Sequence, residues 1–476
     1  MIAVGQASRW SLVALLTLAA IVCAACIGRV ALILPLHVSL DPDEGWNAYH
    51  AAAAVSGHPL YPDAHGLLFN NYPPLSFYIV GALGALTGDN IIAGRVISLA
   101  AFLAVCVAIV AAVRRMDGDW AGAILAALTF AVLLLLGSDY VGMDDPQLLG
   151  HALDMAALLL ILRRARSKTD VSASALLFVL AGLVKHDLFP LPLAVGAWLL
   201  WQDRRNGWVF ALAGLFFALV ALATFRLAFG FDLLQQLNSA RAYEVFLLRD
   251  NLVAWAKFAG PAIVVAVLLA FPRRRDPWVG FCVIYAAIAV AAGTFFFGGA
   301  GVDVNAMFDA DLALALGAGV LVGRLGAVRA MWANMARPAL AMACLLPPAL
   351  QAFLMEDNGW QSASFWTQPL QDDATQARDD IAFLHSRPGN AVCESLAYCY
   401  WADKKAEIDV FNLNQALLAH SRDIAPLLRL VAARHFDTIM LDALSPFPFP
   451  PRLQSALAES YRVDHQDDEG VFLVPK

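Results

Sequence analysis

Charge is scarce in this chain. Asp, Glu, Lys and Arg make up only 15% of its 476 residues. Soluble globular proteins carry about 25%. Apolar residues make up 60% and mean hydropathy is +0.64, a balance that excludes an ordinary soluble enzyme. No basic domain and no weave of basic with aromatic residues is present, so nucleic acid is not an expected partner. Five of the seven cysteines lie in or beside apolar segments, where a thiol is a small apolar filler, and no thiolate metal site is expected. Cys393 and Cys399 stand apart in the polar end of the chain and could pair if that end lies outside the cytoplasm.

What the chain does have is long apolar runs. Trp10–Leu36, Trp120–Leu136 and Leu252–Phe271 reach or approach the length that crosses a hydrocarbon core of about 30 Å. The first run continues through Pro35 with only Arg9 before it, so it reads as a retained helix and not as a cleaved signal. Eleven spans are expected, at 10–36, 92–113, 119–138, 147–162, 172–186, 188–202, 207–229, 252–271, 278–298, 309–326 and 332–354. With the N-terminus inside, the inner loops hold Arg114 and Arg115, then Arg163, Arg164, Arg166 and Lys168, then Arg204 and Arg205, then Arg273 to Arg275, then Arg329. That is the positive-inside bias at each turn. Residues 73–87 are apolar but too short to span, and counting them would invert every later loop. They are expected to form a helix near the outer interface, started by Pro73 and Pro74.

The expected fold class is therefore an all-α polytopic membrane protein, with a membrane domain over 1–354 and an outer loop over 37–91. Residues 355–476 read as a small extracytoplasmic α/β domain. In it, helices are expected at 377–386, 415–420 and 424–433, strands at 390–393 and 436–441, and a closing hairpin from 462–464 and 470–474. It contains nothing like a Gly-rich phosphate loop, and its role is read as structural or acceptor-docking.

Ionisable residues gather on the outer side of this topology. Asp43 and Glu44 follow the first span, Asp144 and Asp145 open the fourth, and Lys185 and His186 close the fifth. Charges at such positions are costly and are usually kept for chemistry or ion handling. Each also has a plainer role. Asp144 and Asp145 can cap a helix before Pro146, Lys185 can snorkel to headgroups, and Arg95 can anchor to lipid phosphate. Asp154, one or two turns inside its span, needs a partner and is read as orienting a neighbour. His50, His58 and His65 have no ligand spacing and read as loop histidines.

The order of several motifs resembles the GT-C superfamily of integral-membrane glycosyltransferases. Within it the likeness is to bacterial proteins related to aminoarabinose transferases, protein O-mannosyltransferases and Rhizobium-type galacturonosyltransferases. The motifs are Asp43-Glu44-Gly45, Gly57-His58-Pro59-Leu60-Tyr61, Tyr72-Pro73-Pro74-Leu75, Gly94-Arg95-Val96-Ile97-Ser98, Asp144-Asp145-Pro146, Gly182-Leu183-Val184-Lys185 and Val304-Asn305. Some relatives carry a Lys before the Pro-Pro pair where Asn71 and Tyr72 stand here, a departure from the aminoarabinose branch.

The resemblance implies a sugar donor on polyprenyl phosphate, and an envelope glycan, lipid or protein as acceptor on the periplasmic face of a bacterial inner membrane. It implies Asp43 as general base, Glu44 as its neighbour or a metal ligand, and Asp144 or Asp145 as the second acidic position. Lys185 and Arg95 would meet the lipid phosphate, with His186, Tyr61, Tyr72 and Asn305 as further substrate contacts. A divalent cation, Mg2+ or Mn2+, would sit on Glu44 and Asp145. A carboxylate base with direct displacement would invert the anomeric centre. A monomer in the bilayer is expected. The alternative reading is a transporter or flippase for a lipid-linked substrate, which would favour inverted repeats and mid-membrane acids. A third is a non-catalytic assembly protein.

Overall fold

The computed structural model describes residues 2–63, 66–230, 241–273, 275–328, 330–354, 359–442 and 450–476. His65, Arg274 and Arg329 of the sequence reading lie outside these. The membrane domain contributes α1 (Ile2–Ile33), α2 (Pro42–Ser56), α3 (Leu75–Thr87), α4 (Asn90–Arg115), α5 (Trp120–Gly137), α6 (Gln147–Ile161), α7 (Lys168–Val184), α8 (Pro190–Gln202), α9 (Arg204–Phe229), α10 (Val245–Ala270), α11 (Pro277–Phe296), α12 (Phe308–Gly326) and α13 (Met331–Leu354). Each of the eleven expected spans coincides with a helix. Eight of these helices are long and apolar enough to cross a membrane. The three others, α6, α7 and α8, have 15, 17 and 13 residues. At 1.5 Å per residue they fall short of a full crossing by length alone.

Local chemistry sets the helix ends. Asp89, Asp119, Asp203 and Asp276 cap α4, α5, α9 and α11 by accepting from backbone N–H groups in the first turn. Ser167 and Asp170 form a capping box on α7. Arg114 and Arg115 end α4, where the helix dipole favours cations. The buried centre is α12, packed on α5, α11 and α13. Glycines allow the closest of these approaches. A Cβ on Gly122 would stand 2.3 Å from the Gly319 carbonyl oxygen, so α5 and α12 touch backbone to backbone. On α1, Cys23 and Cys26 have a CxxC spacing but are free, buried thiols.

The stretch expected at the interface is α3, which packs between α2 and α4. Its 13 residues cover about 20 Å. Much of what the sequence presents as an outer loop is also helical. α2 starts with Pro42 after the Asp41 cap and stops at Gly57, whose φ of 78° suits glycine.

The tail adds α14 (Ala363–Thr367), α15 (Gln371–Ser386), α16 (Leu396–Trp401), α17 (Val410–Leu418), α18 (Ala425–Ala432) and α19 (Pro451–Ser460). With them come β1 (Asn390–Cys393), β2 (Phe436–Leu441), β3 (Tyr461–Gln466) and β4 (Val471–Pro475). The sheet order is β1-β2-β4-β3, with β1 parallel to β2 and the β3–β4 hairpin antiparallel. A disulfide joins Cys393 to Cys399. The strands fall where expected. α14, α16 and α19 are not among the expected helices, α15 begins six residues before its expected start at 377, and α17 begins five residues before its expected start at 415.

The tail docks tightly on α2. A Cβ at Gly45 would come 2.0 Å from the Ala397 nitrogen. Tyr49 Oη donates to the Lys404 carbonyl at 2.6 Å, and Trp401 Nε1 to Asp89 at 2.9 Å.

Candidate active site

The first turn of α2 carries Asp43 and Glu44, and the two face different surroundings. Glu44 is fully enclosed. Its carboxylate accepts from Arg95 Nε at 2.7 Å and from Arg95 Nη2 at 2.6 Å. It also accepts from the backbone N–H of Asp144 and of Leu40, each at 2.9 Å. Arg95, equally enclosed, gives its remaining hydrogens to the carbonyls of Leu36 at 2.7 Å, Val38 at 2.5 Å and Leu34 at 3.4 Å. This bidentate pair ties α4 to the chain before α2 and to the loop before α6.

Asp144 lies in the same buried layer. Its backbone N–H is held by Glu44, and its carbonyl accepts from Asn47 at 2.6 Å. Its side chain rests over Gly94, where any Cβ would fall 1.8 Å from Oδ1. Burial, then the charges of Glu44 and Asp145, push its carboxyl well above the usual carboxylate range.

Above this layer Asp145 meets Lys185, with Nζ 3.3 Å from Oδ2 and 3.5 Å from Oδ1. Asp145 also accepts from the Gln147 N–H at 2.7 Å. The Lys185 ammonium stands 5.0 Å from the centre of the Tyr72 ring. Tyr61, also buried, holds this loop by donating to the Tyr72 carbonyl at 2.9 Å.

Asp43 is half-buried beside the Asp145–Lys185 pair. Burial, and then the charge of Asp145, push its carboxyl up to about 6, against the pull of Lys185 and Arg241. Asp41, the cap of the same helix, is pushed up to about 7 by burial and by Asp43. His186 is exposed at the Lys185 junction, and Asn305 is half-buried in the turn leading to α12.

So Asp43, Asp145, Lys185 and Tyr72 come together, while Glu44, Arg95 and Asp144 form a closed layer beneath them. Glu44 and Asp145 do not fit a shared divalent ion. Each carboxylate already bonds a cationic side chain and at least one backbone N–H. His50 gives its Nδ1 to the Trp46 carbonyl at 2.8 Å and His58 sits exposed beside Ser56, so the described loop histidines do not converge.

Two residues escaped the sequence reading. Arg241 projects its charge onto Asp43, Tyr72 and Asp409, and is anchored on the carbonyls of Ala300 and Gly301 at 3.3 and 3.0 Å. Asp409, a buried cap in the tail, acts on Asp43. A lone Arg in a loop and a helix cap carry no signal of their own.

Two cavities adjoin on the Asp41 side. One of about 350 Å³ is lined by Asp41, Asp139, Tyr140, Asn251 and Asp303. The other, about 760 Å³, is walled by Arg29 and Lys257 with Trp360, Phe365 and Trp366. They share Ser138, Asp139 and Phe258.

This architecture, a helical membrane domain with a small C-terminal sheet domain, is shared with solved structures of other membrane proteins. The chain is similar to the apo structure of ArnT from Cupriavidus metallidurans, at 14% identity and a TM-score of 0.60, over 98% of each chain. It is likewise similar to that protein bound to undecaprenyl phosphate, at 13% identity and a TM-score of 0.60, over 95% of this chain and 96% of that one. The Archaeoglobus fulgidus oligosaccharyltransferase in complex with Zn and sulfate follows, at 15% identity and a TM-score of 0.52, covering 88% of this chain and 67% of that one. The profile of a family described as a 6-pyruvoyl-tetrahydropterin synthase related domain, a membrane protein, matches residues 69–227. No curated protein matches by sequence.

Proposed function

We propose that the chain is an integral-membrane glycosyltransferase that moves a sugar from a polyprenyl-phosphate carrier to an acceptor on the outer face of a bacterial inner membrane. The observation that carries this reading is Asp43. It is a half-buried carboxyl raised to about 6 and set beside a buried lysine and an arginine. A base of that strength is poised to work near neutral pH.

In the proposed reaction Asp43 takes the proton of the acceptor hydroxyl. The acceptor oxygen then attacks the anomeric carbon as the bond from that carbon to the phosphate oxygen breaks. Polyprenyl phosphate leaves with the electron pair, and Lys185 and Arg241 meet its charge. One displacement of this kind inverts the anomeric centre. Asp145 holds Lys185 in place, and Tyr72 offers a ring to the sugar. Glu44, Arg95 and Asp144 are the buried frame under the site in this reading, with every Arg95 hydrogen already given to Glu44 or a backbone carbonyl.

The fold neighbours support both partner classes. One was solved with undecaprenyl phosphate and another tethered to an acceptor peptide. The larger cavity, with two cations among aromatic walls, has the character an amphiphile needs. The Cys393–Cys399 bond accords with an oxidising, extracytoplasmic side for the tail.

The test is purified protein with a panel of polyprenyl-phosphate sugars. The wild type should release polyprenyl phosphate, and Asp43→Asn should lose that release while keeping the wild-type melting temperature. Movement of intact lipid-linked sugar across vesicles by both proteins, with no cleavage, would make it a transporter instead.

A further inference from the structure

Below the site lies a group of side chains that the proposed reaction does not use. His151 and Asp154 are three residues apart on α6, hence on one face, and Asp309 stands in the first turn of α12. One ligand atom from each lies within 4.8 Å of the other two. The three residues are 0%, 0% and 5% exposed. Both carboxylate oxygens of Asp154 and Nδ1 of His151 have no hydrogen-bond partner among the described residues. Asp309 accepts from the Tyr285 hydroxyl at 2.6 Å.

The charges acting on the two acids are themselves acidic, and the cation that acts on His151, Lys185, is already paired with Asp145. Asp309 and Asp187 act on Asp154, and Asp187 acts on Asp309 too. Neither Asp154 nor Asp309 forms an ion pair with Lys or Arg among the described residues. Buried carboxyls in a helix bundle are seldom left bare, since desolvation is costly without a partner.

We propose that His151, Asp154 and Asp309 hold one divalent transition-metal ion, of the zinc or manganese kind, between α6 and α12. Two carboxylates and a neutral imidazole bring its charge to zero inside the bundle. One nitrogen and two oxygens suit these ions better than the all-oxygen shells of calcium or magnesium. The reach is adequate. A point central to three atoms no more than 4.8 Å apart lies at most about 2.8 Å from each. Metal–ligand bonds of about 2.0–2.2 Å then require inward shifts of under about 1 Å.

The surroundings supply the outer support such a site needs. Tyr285 orients Asp309. The Gln147 amide lies 3.3 Å from His151 Nε2, and its own oxygen lacks a partner. With the amide turned over, that oxygen accepts from Nε2–H and leaves Nδ1 free for the ion. The Gln147 backbone N–H holds Asp145, so the ion would brace the loop that carries the Lys185 pair. The proposal does not depend on the glycosyltransferase reading.

The test starts from the full chain in detergent, stripped with a chelator and reloaded with Zn2+ or Co2+. One equivalent of Zn2+ should survive desalting, and Co2+ should give visible absorption bands that saturate at one equivalent. Asp154→Asn and His151→Gln should each reduce retained metal at least tenfold. Asp467→Asn, in the half-buried Asp380–His465–Asp467 group of the tail, should leave it unchanged. Should the α6 variants fail to fold, electron-spin-echo spectra of Mn2+-loaded wild type decide, and one coupled imidazole nitrogen is expected. Wild type that keeps no stoichiometric metal, or Asp154→Asn that keeps a full equivalent, overturns the proposal. A Mn2+ spectrum without imidazole coupling overturns it too.

Discussion

Replacing Arg95 with Met separates two roles for this residue. From the sequence it is a candidate phosphate contact. In the fold its guanidinium is wholly enclosed and spent on Glu44 and the carbonyls of Leu34, Leu36 and Val38. Arg95→Met leaves the Glu44 carboxylate buried with only two N–H donors. Opposite charges about 4 Å apart at an effective dielectric of 20 attract by about 4 kcal/mol. Breaking a buried pair from one side costs about 3–5 kcal/mol in measured cases. The two figures agree, so the variant should lose about 3–5 kcal/mol of stability. Because the damage comes from the stranded carboxylate, Glu44→Gln added to Arg95→Met should recover about 1–3 kcal/mol.

The assay pairs chemical or thermal unfolding in detergent, followed by tryptophan fluorescence, with donor KM measured well below the melting point. The expected outcome is a large stability loss, partial rescue in the double variant, and a donor KM within twofold of wild type. An Arg95→Met protein that unfolds like wild type, with donor KM raised tenfold or more, would falsify the structural role and return Arg95 to the substrate.

Other outcomes follow from the same geometry. With the Asp43 carboxyl pushed up to about 6, turnover should fall about tenfold per pH unit below 6 and level off above it. A flat profile from pH 5 to 8 would remove Asp43 as the base. Since the folded state holds that proton more tightly than the unfolded chain does, the ionised carboxylate lowers stability above pH 6. Asp43→Asn should therefore melt no lower than wild type at neutral pH. Asp409 raises the Asp43 carboxyl, so Asp409→Asn should move the pH limb toward acid, and a shift toward base would contradict the placement. Gly94→Ala sets a methyl against Asp144 Oδ1 and should cost about 1–3 kcal/mol, read by unfolding. Cys393→Ser should lower tail stability by about 2 kcal/mol and speed proteolysis there, and unchanged cleavage would argue against the bond.

The membrane helices were legible because their signal is local. An apolar run needs no tertiary information to be read, and all eleven segments are helical, eight of them long and apolar enough to cross a bilayer. The tail strands were legible for the same reason, since β-branched and aromatic runs between turns mark them. α16 was not. LAYCYW is too short and aromatic for a helical period, and it becomes a helix by packing against α2. Its lesson extends to the site. Asp43, Asp145 and Lys185 stand at the ends of apolar segments, where any ionisable group draws notice. Their sorting is a property of the fold. Glu44 and Asp43 are neighbours in sequence, yet the turn of α2 points one carboxyl at Arg95, 51 residues on, and leaves the other open beside Lys185.

That sorting has a physical consequence for the proposed chemistry. A base at a helix start is only useful if the turn that bears it does not move when charge develops. The bidentate Glu44–Arg95 pair, with its N–H bond to Asp144, holds that turn to α4 and to the loop of Asp145 at once. The two acids thus divide the work. One is saturated with donors and rigid, and the other is short of donors and basic. Had both been free, their mutual repulsion would have protonated one of them near neutral pH. Had both been paired, neither could accept a proton. In the proposed mechanism the pairing of Glu44 is therefore part of what leaves Asp43 free to take a proton.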